Sequence, residues 1–370
     1  MTSPDDATTP AAFDGTTDVI IVGGGQSALA VCYYLRRTSL SYRVLDAGAT
    51  PGGAWTSTWH SLRLFSPAQW SSLPGRLMPG GTSYYPHRDE ALAYFADYEQ
   101  RYAVPIERPV RVTGVERDPI DDARLIVTTT RGTWRANGVV SATGTWSSPN
   151  VPDIPGRSAF GGAVVHSAQY RSPDVFAGLR VVVVGGGNSG AQIVADLFEH
   201  AQVTWATRSP PSFLPDDIDG RYLFGEETAR YRALTTGASA PPPRTLGDIV
   251  VVESVRRARE HGALVSVPMF TRFMEDGVEW PDGRRTQEDA VILATGFRPA
   301  LGHLAPLRIT EPHGRIAVRG TRAVREPRLW LVGYGDWTGY ASATLIGVGR
   351  SARATVEEIT HVLENRHRHD

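Results

Sequence analysis

A short apolar run that ends in three glycines occurs twice in this chain, and a helical pattern and a second apolar run follow it each time. The first copy reads DVIIVGGG at residues 18–25, and the second reads RVVVVGGG at residues 180–187. A β-branched run that leads into glycines is typical of a buried parallel strand followed by a tight turn. The duplication therefore predicts an α/β protein with two strand–turn–helix–strand units.

The first glycine turn has the spacing GxGxxA. Gly23 allows the tight turn, and Gly25 lets the backbone approach a pyrophosphate, which the free N–H groups of the following helix would bind. Asp46 ends the next apolar run, at roughly the 20-residue separation expected of an acid that binds ribose hydroxyls. FAD has no 2′-phosphate on its adenosine ribose, so an acid at this position suits it. We therefore predict that this turn, with Gln26 and Ser27 at the start of the helix, binds FAD.

The second glycine turn has the full GxGxxG spacing, but the strand after it ends in Arg208 instead of an acid. A carboxylate at this position would repel a 2′-phosphate, whereas an arginine attracts it. We therefore predict an NADPH site, and the alternative is that Arg208 is only a solvent-exposed charge at the end of a strand. The predicted NADPH ligands are Gly185, Gly187, Asn188, Ser189, Gly190 and Arg208.

Two further apolar runs end in ATG, at residues 142–144 and 294–296. Small residues at such crossovers let chain and cofactor pass closely, so Thr143 and Gly144 are predicted to lie against the cofactor. The order of the motifs predicts two Rossmann-like dinucleotide-binding domains, with the NADPH domain inserted into the FAD domain. The predicted division is a flexible tail at residues 1–16, the FAD-binding domain at 17–155 and 291–370, and the NADPH-binding domain at 156–290.

Cysteine and charge content exclude several classes of protein. The chain of 370 residues contains one cysteine, Cys32. Disulfide reductases relay electrons through two neighbouring cysteines, so that chemistry is nearly excluded, and the sequence predicts no metal site. The formal net charge of −1 gives no reason to expect a nucleic-acid partner. We find no secretory signal and no apolar run of membrane-spanning length, and we expect a cytoplasmic enzyme.

A fingerprint string precedes the second glycine turn. Residues 160–170 read FGGAVVHSAQY, which is FxGxxxHxxxY. This string resembles the fingerprint of the flavin-containing monooxygenases, and the resemblance spans residues 18–359. Baeyer–Villiger monooxygenases carry a similar string with tryptophan at the position of Tyr170, so the chain leans to the N- and S-oxygenating branch. Residues 62–79 and 333–350 further resemble the bacterial monooxygenases encoded in arsenic-resistance operons.

The resemblance implies further contacts with FAD. The sequence GGAW at residues 52–55 matches the family's GGxW, which implies that Gly53 and Trp55 lie beside the flavin ring. Val112 would contact the adenine through its backbone, and Asp336 would meet the ribityl chain. A C-terminal helix that begins near residue 345 would point at the pyrimidine edge of the flavin.

The resemblance also implies roles for two residues of the fingerprint. His166 and Tyr170 would brace the linker between the domains against the nicotinamide nucleotide. The alternative for His166 is a purely structural role. For Trp59 and Trp70, which follow the GGxW segment, we favour packing in the core over contact with a cofactor.

The reaction that the resemblance implies begins with hydride transfer from NADPH to FAD. The reduced flavin would react with O2 to form a C4a-hydroperoxide, which would insert one oxygen atom into a soft nucleophile such as an amine nitrogen, a sulfur or trivalent arsenic. No side chain is assigned as an acid or a base. The expected partners are a small-molecule substrate and O2, with no nucleic acid and no membrane, and a homodimer is compatible with the sequence.

Two alternatives to this function stay open, as does the role of one segment. The chain could instead be a Baeyer–Villiger oxygenase of ketones, or a redox sensor that binds FAD and NADPH without turnover. Residues 209–247, which contain a PPP run, are interpreted either as a lid that faces the substrate or as a structural loop.

Overall fold

The computed structural model describes residues 15–216, 218, 248–339 and 341–366 of the chain. Residues 1–14 of the predicted tail and most of the segment 209–247 lie outside these described residues. The helices of the described residues are α1 (Gln26–Leu35), α2 (Arg88–Arg101), α3 (Asn188–Leu197), α4 (Glu253–Glu260) and α5 (Leu345–Arg366). The strands are β1 (Gly15–Val22), β2 (Tyr42–Leu45), β3 (Ile106–Glu107), β4 (Val112–Arg117), β5 (Leu125–Thr129), β6 (Gly132–Ser141), β7 (Ala163–His166), β8 (Arg180–Val184), β9 (Gln202–Thr207), β10 (Ser266–Pro268), β11 (Arg272–Phe273), β12 (Gly277–Glu279), β13 (Arg285–Gln287), β14 (Ala290–Leu293), β15 (Val318–Arg319), β16 (Arg322–Ala323) and β17 (Leu329–Leu331).

The first sheet combines the two ends of the described chain. Its strands lie in the order β15-β16-β17-β6-β1-β2-β3, and β5 and β4 continue from β6 as an antiparallel pair. The neighbours β17, β6, β1, β2 and β3 are parallel. Val19 and Ile21 of β1 pack with α1 and α5, whereas Ile20 and Val22 pack with β4 and β5. The continuous apolar run of β1 is therefore explained by burial on both faces of the sheet.

The second sheet is formed by the middle of the chain. Its strands lie in the order β10-β9-β8-β14-β7, and all of them are parallel. Val181 and Val183 of β8 pack with α3 and α4, while Val182 and Val184 face the small antiparallel sheet β11-β12-β13. The two halves of the chain thus repeat one architecture. The prediction of an α/β fold with two Rossmann-like units is confirmed.

Two strands lie at predicted domain boundaries. The strand β1 begins at Gly15, so Gly15 and Thr16 belong to the sheet rather than to the tail. The strand β14 pairs with β7 and β8, so Val291 belongs to the second sheet, and the chain leaves that sheet only after Leu293. An apolar pattern predicts that a strand exists but does not identify its neighbours, so the division into domains stays a prediction.

The two segments that connect the sheets lie side by side. The Ala300 amide donates to the Gly144 carbonyl at 2.9 Å, and the Arg298 amide donates to the Ser148 carbonyl at 2.8 Å. The Thr143 hydroxyl donates to the Ala300 carbonyl at 2.8 Å. Each crossover therefore restrains the other, which fixes how the second unit sits on the first.

Candidate functional site

The two glycine turns are built in the same way. Gly23 has a φ of +99°, and an added Cβ would lie 2.8 Å from the Ala142 carbonyl oxygen. Gly185 has a φ of +131°, and an added Cβ would lie 2.2 Å from the Ala294 carbonyl oxygen. Each turn therefore packs against the ATG segment of its own sheet, and only glycine fits at either position.

The helices that follow the turns begin with free N–H groups that face open space. Gly25 is the N-cap of α1 and Gly187 is the N-cap of α3, and no side chain caps either helix. An added Cβ at Gly25 or Gly187 would meet nothing within 4 Å. An uncapped helix start beside a gap fits a pyrophosphate, because the N–H groups and the helix dipole both favour an anion there. Both turns pass this test for a dinucleotide.

One cavity of about 1000 Å³ runs from the first turn to the start of α3. This volume is at the upper end of the range for ligand sites, which is roughly 300–1,000 Å³. Its walls come from both units. The predicted site residues that line it are Gly23, Gly25, Gln26, Ser27, Asp46, Gly53, Trp55, Val112, Thr143, Gly144, Asn188 and Ser189.

Gln26 connects three segments at the start of α1. Its Nε2 donates to the Ala343 carbonyl at 2.7 Å, and its Oε1 accepts from the Trp55 indole at 3.0 Å. An added Cβ on Gly53 would lie 2.8 Å from the Gly25 Cα, so the GGxW segment rests on the first turn. The helix α5 begins at Leu345, as the sequence predicts, and Leu345 also lines the cavity.

Asp46 is held by an arginine that the sequence analysis missed. The Arg108 Nε donates to Asp46 Oδ2 at 2.6 Å, and the Arg108 guanidinium also binds both carboxylate oxygens of Glu99 at 2.7 Å. Burial lowers the pKa of Arg108, but the hydrogen bonds with Glu99 and Asp46 outweigh burial and raise that pKa above its usual value. Asp46 Oδ1 accepts from the Gly48 amide at 3.2 Å. The acid therefore stands in a fixed orientation at the end of β2.

A chain of hydrogen-bonded polar groups has both of its ends, Thr143 and His303, at the cavity wall, and no motif in the sequence predicts it. His303 Nε2 lies 3.1 Å from the Ser141 hydroxyl, and Ser141 lies 2.6 Å from the Tyr334 hydroxyl. The Tyr334 hydroxyl also lies 2.7 Å from the Thr143 hydroxyl. Burial lowers the pKa of His303 to about 4, so this imidazole is neutral at physiological pH. The chain joins the first ATG segment to the C-terminal part of the first sheet.

The second glycine turn presents a different set of side chains. Arg208 follows β9, is exposed, and forms no ion pair within the part of the chain that the structure describes. Asn188 uses its side chain structurally, because Nδ2 donates to the Asp248 carbonyl at 3.1 Å and Oδ1 accepts from the Val250 amide at 2.9 Å. An added Cβ on Gly190 would lie 2.1 Å from the Gly185 carbonyl, so glycine is required where the helix meets the turn.

Several predicted site residues lie away from the cavity wall. His166 is buried, and its Nε2 donates to the Gly296 carbonyl at 3.0 Å, which ties β7 to the second ATG segment. Burial lowers the pKa of His166, and the hydrogen bond to Gly296 opposes that change. Tyr170 is buried and donates to Asp196 Oδ2 at 2.7 Å. The remaining predicted residues that do not line the cavity are Gly185, Gly187, Gly190, Arg208 and the exposed Asp336.

The cysteine chemistry of disulfide reductases has no counterpart here. Cys32 is the single cysteine of the sequence, and it is buried inside α1. Burial raises the pKa of the Cys32 thiol, which keeps it protonated and unreactive. Among the described residues, no cluster of His, Cys, Asp or Glu could hold a metal ion. No helix within the described ranges is long and apolar enough to span a bilayer.

Known proteins resemble this chain over most of its length. The family model described as pyridine nucleotide-disulphide oxidoreductase matches residues 20–219. The chain is 48% identical to the solved flavin-containing monooxygenase from Stenotrophomonas maltophilia, with a TM-score of 0.85, and the match covers 94% of this chain and 99% of that one. It is 28% identical to a protein of Geobacillus kaustophilus described as an uncharacterized, CzcO-like oxidoreductase, over 92% of this chain and 98% of that protein. It is 30% identical to the indole-3-pyruvate monooxygenase YUCCA8 of Oryza sativa subsp. indica, over 75% of each chain.

Proposed function

The chain belongs to the pyridine nucleotide-disulphide oxidoreductase family and, within it, to the flavin-containing monooxygenases, and we propose that it binds FAD at the first glycine turn and NADPH at the second. We propose further that it inserts one oxygen atom of O2 into a soft nucleophile, namely an amine nitrogen, a sulfur or trivalent arsenic. The oxidoreductase class follows from the family. The geometry of the site supports the cofactor positions, and the resemblance at the FxGxxxHxxxY string supports the substrate class.

The single cavity that both helices reach is the observation that carries the proposal. Gly25 at the start of α1, and Asn188 and Ser189 at the start of α3, line the same space of about 1000 Å³. Hydride passes between two bound nucleotides only when their reacting rings meet in one cavity. Separate pockets for the two turns would have argued for binding without turnover.

The residues of the first unit would hold FAD along its length. The N–H groups at the start of α1 would bind the pyrophosphate, and the oriented Asp46 would accept hydrogen bonds from the ribose hydroxyls. Trp55, fixed by Gln26, would stand beside the flavin ring. Bound FAD supplies the hydride acceptor and the site at which O2 is activated, so the protein's task is to orient the reactants and to limit water. The aromatic side chains that would do this are Trp55, Trp59, Phe65, Trp70 and Trp146.

The coenzyme preference rests on the two strand ends. Asp46 would tolerate a ribose with free hydroxyls, and it would repel a 2′-phosphate. Arg208 is exposed at the equivalent position of the second unit, and its guanidinium can pair with a 2′-phosphate in a charge-assisted hydrogen bond. This difference supports NADPH over NADH as the electron donor.

The test is oxidation of NADPH by the purified protein in the presence and absence of oxygen. We expect a yellow protein that NADPH bleaches anaerobically, and whose reoxidation by ¹⁸O2 places one labelled atom in the product. A panel of a thioether, a tertiary amine, trivalent arsenic and a ketone separates the proposed reaction from Baeyer–Villiger oxygenation. An aromatic 2-oxo acid belongs in the panel, because the YUCCA relatives are named for one. A protein that binds flavin but is never reduced by NADPH would instead be the redox sensor.

The finer parts of the sequence analysis stay predictions. They include the arsenic-resistance type, the cytoplasmic location, the homodimer and the division into domains. Tyr170 occupies the position at which Baeyer–Villiger monooxygenases carry a tryptophan. For this reason we expect the thioether, the amine or trivalent arsenic, rather than the ketone, to be oxygenated.

A further inference from the structure

A segment of the first unit is built into the core of the second. Trp59 follows the GGxW segment in sequence, yet it is 5% exposed and belongs to the apolar cluster of the second unit, together with Tyr170, Phe176 and Val183. The rings of Trp59 and Tyr170 lie 6.3 Å apart in an edge-to-face arrangement. The His60 amide donates to the Arg171 carbonyl at 2.9 Å. The flavin-side segment, by which we mean residues 58–62 after the GGxW sequence, is therefore anchored in the second unit.

One carboxylate joins the two units at this anchor. Asp196 lies on α3, and its Oδ1 accepts from the Ser61 hydroxyl at 2.7 Å. Its Oδ2 accepts from the Tyr170 hydroxyl at 2.7 Å. Each oxygen thus serves a different part of the chain, and both donors are neutral hydroxyls bound to a charged acceptor, which makes the hydrogen bonds strong.

The anchor is rigidly connected to the cavity on both sides. Thr58, Trp59 and Leu62 line the cavity from the first unit, and Ser189 and Gln192 line it from α3. The helix carries Asp196 seven residues after Ser189, which corresponds to roughly 10 Å along a straight helix axis. A shift at Asp196 therefore moves the start of α3 relative to the flavin-side segment.

We propose that Asp196, held by Tyr170 and Ser61, is a positioning residue that sets the distance between the flavin and the nicotinamide during hydride transfer. The inference rests on the proposed function. It gives the tyrosine of the FxGxxxHxxxY string a physical task, because its hydroxyl orients the carboxylate of the second unit that binds Ser61 of the first unit. Burial and the neighbouring Asp196 carboxylate raise the pKa of Tyr170, so its hydroxyl stays a donor at neutral pH.

The first experiment compares two matched tyrosines. Tyr170→Phe removes the hydroxyl that joins the anchor. Tyr98→Phe is the control, because Tyr98 is also buried and donates to the Pro74 carbonyl at the same 2.7 Å, but lies wholly within the first unit. In the FAD-loaded enzyme at saturating NADPH, we expect Tyr170→Phe to slow anaerobic flavin reduction about 10-fold or more, since a displacement near 1 Å can slow a reaction ~10²-fold. The dissociation constants for FAD and NADPH should change less than about twofold, and Tyr98→Phe should leave the reduction rate unchanged.

The second experiment uses the other two members of the anchor. Ser61→Ala and Asp196→Asn should each slow anaerobic flavin reduction as Tyr170→Phe does. The double variant Ser61→Ala, Tyr170→Phe should have a smaller fold-decrease in the reduction rate than the product of the two single fold-decreases, because both substitutions act through one carboxylate. Ser61 is exposed, so its variant tests the inference even if Asp196→Asn does not fold. Equal reduction rates in Ser61→Ala, Tyr170→Phe and wild type overturn the positioning role.

A third measurement separates the failure of this inference from the failure of the proposed function. Amide hydrogen exchange of residues 58–62 and 168–171 should rise in Tyr170→Phe and Ser61→Ala and stay unchanged in Tyr98→Phe. If NADPH does not reduce the wild-type flavin, the proposed function fails, and this exchange alone decides whether the anchor holds the two walls together. Unchanged exchange in both anchor variants would overturn the inference.

Discussion

The buried ion pairs of Arg108 yield a prediction whose size can be worked out from the structure. The Arg108 side chain is 11% exposed, and the carboxylates of Asp46 and Glu99 are each 9% exposed. Removal of one partner of a buried pair costs about 3–5 kcal/mol, because a charge stays buried without compensation. Arg108→Met leaves two such carboxylates. We therefore expect the free energy of unfolding at pH 7 to fall by about 3–5 kcal/mol or more.

An exposed arginine provides the matched control. Arg353 binds Glu357 with an Nε–Oε1 distance of 2.8 Å, but the two side chains are 68% and 62% exposed. Water screens an exposed ion pair and weakens it, so Arg353→Met should lower the free energy of unfolding far less than Arg108→Met does. Urea unfolding of FAD-free protein, followed by circular dichroism, measures both variants without a contribution from bound FAD.

The prediction fails if Arg108→Met and Arg353→Met lose similar amounts of stability at pH 7. That result would mean that water reaches the Asp46 and Glu99 carboxylates and compensates their charges.

The remaining predictions address the glycine turns, the coenzyme and the buried histidine. Arg208→Ala should raise the KM for NADPH about 10- to 100-fold, because a hydrogen bond to a charged group is worth about 1.5–3 kcal/mol, and it should leave the KM for NADH unchanged. Equal increases of both KM values in steady-state assays would contradict the proposed preference for NADPH. Gly25→Ala should fold normally and bind FAD more weakly in fluorescence titrations, because its Cβ meets only the open cavity, whereas Gly23→Ala should lose thermal stability through its φ of +99° and its contact with Ala142. The pKa of His303 is about 4 in the folded protein and about 6.5 in the unfolded chain. The unfolded chain therefore takes up the proton first, and the free energy of unfolding falls by about 3 kcal/mol as the pH is lowered from 6.5 to 4. His303→Gln should remove that part of the slope in pH-dependent urea curves, and an unchanged slope would show that the imidazole is not buried in solution.

The parts of the molecule that follow from local chemistry could be predicted from the sequence. Gly23 and Gly185 can be identified from the sequence because a tight turn after a strand needs a residue that tolerates a positive φ. The strand pattern and the glycine that follows it are consecutive in the chain. The alternating burial of Val19, Ile20 and Ile21 on the two faces of β1 likewise follows from an apolar run. Such features depend on neighbours in the chain.

The parts that could not be predicted depend on residues that the topology brings together. Arg108 lies 62 positions from Asp46, and Ser61 lies 135 positions from Asp196. Arg108 meets Asp46 because β2 and β3 lie side by side in the first sheet, and Ser61 meets Asp196 because α3 of the second unit packs beside Ser61; no periodicity encodes either contact. Asp336 is exposed and does not line the cavity, whereas Gly333 and residues 343–345 do, so the contact of Asp336 with the ribityl chain stays a prediction.

The likeness of the two units makes their differences informative. Gly23 against Ala142 and Gly185 against Ala294 place two equivalent helix starts at the edges of two sheets, so the fold alone would give two equivalent nucleotide sites. The strand ends break this equivalence, because one carries a paired acid and the other an exposed arginine. The crossovers then decide what the two sites can do together: the hydrogen bond from Ala300 to Gly144 holds the inserted unit so that both helix starts face one cavity. The same duplication with an unrestrained linker would bind two nucleotides but would not keep them within reach of each other, so the proposed electron transfer would depend on contacts between the units as much as on either turn.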